Sequence, residues 1–70
     1  MKRAEKVKRT ASDIIETGQK PSARLLRQKL DYAEPDIHRC LNFLEKRGDV
    51  ETYTKKVFGT EHRMVSVKRN

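Results

Sequence analysis

Apolar residues recur at spacings of three and four through the first part of the chain. Ala4, Val7, Ala11 and Ile14, with Ile15 alongside, predict an amphipathic helix over residues 3–17. Gly18 can supply the left-handed residue that ends it, and Pro21 holds Lys20 extended. Ser22 is a good N-cap for a second helix over 23–30, with Leu26 and Leu30 inward and Leu25 beside them. Asp31-Tyr32-Ala33 then reads as a tight break. A third helix over 35–47 opens with Pro35 between Glu34 and Asp36, residues suited to a first turn and to the N-terminal dipole. Its stripe is Ile37, Leu41 and Leu44, with Cys40 adjoining, and Gly48 closes it. From Asp49 the period changes to two. Val50, Thr52, Tyr53, Thr54, Val57 and Phe58 favour strand, Gly59-Thr60 can turn the chain, and residues 62–68 alternate around Val65 and Val67. The expectation is one α+β domain over 1–70: three short helices, then a β-hairpin over 49–68.

The second and third helices, joined by that break, have the layout of a helix-turn-helix, and the hairpin takes the place of a wing. The stretch from Pro35 to Val50, Pro-Asp-Ile-His-Arg-Cys-Leu-Asn-Phe-Leu-Glu-Lys-Arg-Gly-Asp-Val, resembles the third helix and first wing strand of winged-helix DNA-binding proteins. With Pro21-Ser22-Ala23-Arg24-Leu25-Leu26 ahead of it, the resemblance covers nearly the whole chain. In size and layout the chain is most similar to the small single-domain regulators of fimbrial operons. The resemblance implies a winged helix-turn-helix fold, double-stranded DNA as partner, a part in transcription regulation and joint action with a second regulatory protein. The chain departs from the pattern at Asp31, where many such turns place Gly, and at Ala33, where many place Ser or Thr. The left-handed-DNA-binding Zα domains share the branched-residue, Leu, Leu-Glu-Lys spacing. Their Asn and Tyr are matched here by His38 and Asn42, and the chain has no Trp for their wing.

Charge sharpens this picture. The 70 residues carry a formal net charge of +7, and 39% of them are charged against a typical ~25%. Residues 1–30 hold most of the excess, residues 31–48 are slightly acidic, and residues 49–70 are again basic. A polyanion, most often nucleic acid, is the expected partner. The division suits contacts to phosphate that position and a few contacts to bases that specify. No apolar run approaches the ~18 residues of a membrane span, and the charged N-terminus leads into no apolar segment, so neither membrane nor secretion is expected. Cys40 is alone, which excludes an internal disulfide and fits a reducing compartment. The expected location is the cytoplasm of a bacterial or viral system, with the nucleoid when bound.

Helical geometry nominates the contacts. With Ile37, Leu41 and Leu44 inward, the opposite face of the third helix is centred on Pro35, Arg39, Asn42 and Lys46. Arg39 can pair bidentately with guanine and Asn42 with adenine, while Asp36 on one flank can accept from cytosine and His38 lies on the other. Lys46 is a phosphate candidate. So are Lys55, Lys56 and Arg63 on the wing, which can follow the backbone or enter the minor groove. Lys6 and Arg9 on the first helix, with Ser22, Arg24 and Arg27 at the second, complete the phosphate set. The basic tail Lys68-Arg69-Asn70 adds only non-specific attraction. For each cation the plain alternative is a solvated face on a small, highly charged domain.

Phe43, Tyr53 and Phe58 can be core, packing under the wing, or a partner surface. The last option supports a second function: a winged-helix module docking on another regulator or on the transcription machinery. A third is an RNA binder. No Ser/His/Asp arrangement, Gly-rich phosphate loop or paired metal-ligand spacing is present, so no catalytic site, metal or cofactor is expected. Nothing is left over for added dimerisation helices. A monomer is the default, and a homodimer through the first helix or the wing also fits.

Overall fold

The computed structural model describes residues 2–68, in three helices followed by an antiparallel hairpin: α1 (Lys2–Glu16), α2 (Ala23–Leu30), α3 (Glu34–Arg47), β1 (Val50–Val57) and β2 (Thr60–Val67). Arg69 and Asn70 of the basic tail lie outside the described residues.

α1 buries the expected stripe Ala4, Val7, Ala11 and Ile14 and ends one residue earlier than the pattern predicts. The Gly18 amide bonds to Ile15 O at 2.9 Å and the Gln19 amide to Ile14 O at 3.3 Å. This closure satisfies the last carbonyls and releases Thr17 from the helix. Residues 23–30 form α2 as predicted. The Ser22 hydroxyl accepts from the Leu25 amide at 3.1 Å, and Asp31 caps the other end at φ 56, the left-handed site where a glycine is favoured. α3 begins at Glu34, one residue before the predicted start. Ala33 sits at its N-cap without a side-chain hydrogen bond, so the acids Glu34 and Asp36 are left to compensate the exposed amides.

One core joins all five elements: the α1 stripe, Ala23 and Leu26, then Ile37, Cys40, Leu41 and Leu44, closed by Val50 and Val65. Cys40 is 1% exposed and belongs to this core. Desolvation, with the Asp36 carboxylate second, pushes its thiol pKa up.

β1 and β2 pair in one register from Val50↔Val67 to Val57↔Thr60. β2 also meets the segment before α2: the Val65 amide donates to Pro21 O at 2.9 Å, and Ser22 bridges Met64. The hairpin is thereby fastened at its base to the helices, while on β1 every residue from Tyr53 to Val57 is exposed. The turn differs from the sequence expectation. It falls at Phe58-Gly59, not Gly59-Thr60, with φ of 50 and 79, so Phe58 leaves the strand and β2 starts at Thr60. Among the described residues no helix is long and apolar enough to cross a membrane.

Candidate nucleic-acid interface

The outer face of α3 follows from the burial of Ile37, Leu41 and Leu44. Turned away from that stripe, Pro35, Arg39, Asn42 and Lys46 are all exposed. Their positions, four, three and four apart, place them on one side of the helix. Arg39 and Lys46 have no acidic partner among the described residues.

The flanking candidates are engaged within the chain. Asp36 accepts from Arg3 at 3.1 Å, and the Arg3 guanidinium lies 5.4 Å over the Tyr32 ring. This ties Asp36 to α1. His38 faces the hairpin, where its Nδ1 meets Arg63 Nη1 at 3.1 Å. A guanidinium only donates, so Nδ1 accepts and the neutral ring carries its proton on Nε2. That atom lies 3.7 Å from Glu34 Oε1.

Arg63 is the largest departure from the sequence reading. It is not a free wing cation. Its Nη2 donates to Asn42 Oδ1 at 2.8 Å and to Thr52 Oγ1 at 3.2 Å, and stands 3.8 Å from Glu45. The register explains why: Arg63 opposes Thr54 on the hairpin face that carries Val50, Thr52 and Val65 onto α3. Glu45 completes the junction by accepting from the Thr52 hydroxyl at 2.7 Å and the Thr52 amide at 3.1 Å. These two bonds, the hydroxyl first, hold the Glu45 carboxyl below its ordinary pKa. Glu45 and Thr52 were not candidates from sequence. The available signal was the period of two, which puts Thr52 on the same face as Val50.

The remaining phosphate candidates divide into four groups. Ser22 is occupied as the α2 cap. Lys6 and Arg9 lie on the outer side of α1, opposite the stripe that packs towards α3, so the outer faces of the two helices diverge. Arg24 and Arg27 line a cleft of about 480 Å³ with His38 of α3 and His62 and Arg63 of the hairpin. Arg27 is 3.7 Å from Glu34 there, whereas Arg24 has no acidic partner among the described residues. The cleft brings together two histidines that are distant in sequence. Lys55 and Lys56 are exposed on β1 and also lack an acidic partner among the described residues.

Phe43 is partly buried against the core, and Arg47 lies 5.4 Å over its ring while pairing with Glu5 of α1 at 3.1 Å. The ring is therefore covered by Arg47 from the α1 side. Tyr53 is 45% exposed and Phe58 103%. Among the described residues no three His, Cys, Asp or Glu side chains gather in a group that could hold a metal. Compared with protein families, curated proteins and solved structures, the chain finds no match.

Proposed function

We propose that this chain is a winged helix-turn-helix protein that binds double-stranded DNA sequence-specifically and acts in transcriptional regulation. One observation carries the reading: Arg39 and Lys46 stand exposed on one side of α3, unpaired among the described residues, beside a hairpin whose Lys55 and Lys56 are equally free. Many of the other cations are held by acids, as Arg3, Lys8, Arg47 and Lys68 are. Among the described residues the unpaired cations fall in two sets: Arg24, Arg39, Lys46, Lys55 and Lys56 on α2, α3 and the hairpin, and Lys2, Lys6, Arg9, Lys20 and Lys29 on α1, the link after it and α2. The first set is the one that a duplex lying against α3 would meet.

In this reading α3 enters the major groove. Arg39 presents its fork to guanine O6 and N7. Asn42 keeps its carbonyl oxygen on Arg63 and offers its amide N–H groups to an acceptor on a base edge. Lys46 reaches the backbone at the far end of the helix, and Lys55 and Lys56 do so from the hairpin. Arg24 extends the contact across the cleft. Glu34 and Glu45 border the face and repel a phosphate placed off register, which fixes orientation as well as affinity.

The test is fluorescence anisotropy of labelled duplex DNA and of labelled duplex RNA at two salt concentrations. Duplex DNA should bind preferentially, with log K falling about 0.9 for each phosphate neutralised per unit log salt. Equal binding of RNA overturns the DNA reading. Absence of duplex binding, together with recovery of a stoichiometric protein partner, favours the docking-module alternative.

A further inference from the structure

The tip of the hairpin is built in an unusual way. Val57 pairs with Thr60, so the loop contains only Phe58 and Gly59. Both have left-handed backbones, φ 50 and 79, which is the pattern of a type I′ turn. The first position of such a turn suits Asn, Asp or Gly; a bulky aromatic is strained there. Phe58 nevertheless occupies it, 103% exposed, with nothing packed on its ring. Lys55 and Lys56 lie within three residues, and Glu61 is the sole acid on this end of the hairpin. An aromatic ring at the end of a cationic arm is complementary to a polyanion with an apolar stack inside it.

The arm is also aimed. Arg63 fastens the hairpin to His38 and Asn42 of α3, and Phe58 lies four residues beyond its partner Thr54. At about 3.3 Å per residue the tip extends about 13 Å past this junction. A duplex seated on α3 therefore meets the tip at a fixed offset.

We propose that Phe58 is a DNA wedge: the hairpin tip enters the minor groove beside the base pairs faced by α3, and the Phe58 ring inserts into a base step, unstacking it and bending the duplex. This rests on the duplex-binding reading above. Apolar wedges of this kind act by partial unstacking, and flexible pyrimidine–purine steps are the cheapest to open. The lysines behind the ring hold the flanking phosphates.

The experiment uses the full chain and random-sequence duplexes carrying 2-aminopurine in place of adenine at TA steps, with donor and acceptor dyes at the two ends. Wild-type protein should raise the 2-aminopurine fluorescence and shorten the end-to-end distance. Phe58→Asn, which suits the turn and keeps the fold, should still bind, but about tenfold more weakly, with both signals lost. Phe58→Leu should retain part of each. Wild-type binding with no unstacking, or with unstacking unchanged in Phe58→Asn, overturns the wedge and leaves the duplex reading in place. No duplex binding by wild type overturns both. Phe58-dependent binding to vesicles of phosphatidylserine and phosphatidylcholine, without unstacking of DNA, makes the tip a membrane element and also overturns the wedge.

Discussion

Arg63 on the second strand of the hairpin donates to the side-chain oxygen of Asn42 on the third helix at 2.8 Å. The same guanidinium meets His38 and Thr52. A residue that charge alone assigns to a phosphate is thus the fastener between hairpin and helix, and it sets which atoms of Asn42 and His38 face outward.

Arg63→Ala should cost about 1–2 kcal/mol of unfolding free energy, through the loss of hydrogen bonds at a partly buried junction. It should also loosen the hairpin relative to α3. Amide hydrogen exchange checks both effects: protection should fall across Thr60–Val67 more than in α1. Equal loss of protection everywhere would mean that Arg63 acts only through global stability.

Phe58→Asn should stabilise the isolated protein by about 1 kcal/mol, because a left-handed residue with a bulky side chain gives way to one that tolerates that backbone. Urea denaturation without nucleic acid measures this. A loss of stability would indicate that the Phe58 ring makes intramolecular contacts that its exposure does not suggest.

Leu41→Ala should cost 2–5 kcal/mol. Leu41 is fully buried in the core that the three helices and the hairpin share, and a chain of this size has a small stability margin. Thermal unfolding followed by circular dichroism should show a largely unfolded variant at 37 °C. Cys40, on the same core, should resist thiol reagents until the protein unfolds, since burial disfavours its thiolate.

The Glu45 carboxyl titrates below its ordinary range in the folded state because Thr52 donates to it twice. A group with a depressed folded pKa contributes stability above its unfolded pKa and loses it as pH falls through the folded value. Stability should therefore decline as the pH drops through the carboxylate range, and Glu45→Gln, which cannot titrate, should show a shallower decline. Parallel acid limbs for the two proteins would contradict this role.

The helices were legible because their apolar periodicity is strong. The α1 and α3 stripes lie where spacing puts them, and α2 has the predicted bounds, although there Leu26 is buried with Ala23 while Leu30 is only partly buried. The ends moved by a residue, where capping geometry at Thr17–Gly18 and at Ala33 decides the boundary. The hairpin turn was misplaced because Phe58 occupies a position that turn chemistry assigns to Asn or Gly; a scan for turn residues finds Gly59 and looks forward to Thr60. Arg39 and Lys46 were legible as outward residues from the helical wheel alone. Arg63 was not, because its partners come from another element, and only the strand register decides whether it faces α3 or solvent.

The outer face of α3 is the centre of the proposal, and selection of bound sites from random duplex DNA tests it most directly when wild type and Arg39→Ala are run in parallel. Wild type should enrich a defined motif containing a guanine, and Arg39→Ala should lose preference at that base while keeping the rest, at a cost of about 1–3 kcal/mol for the original site. Enrichment of the same motif by both proteins, or of none by wild type, would contradict a reading role for this helix.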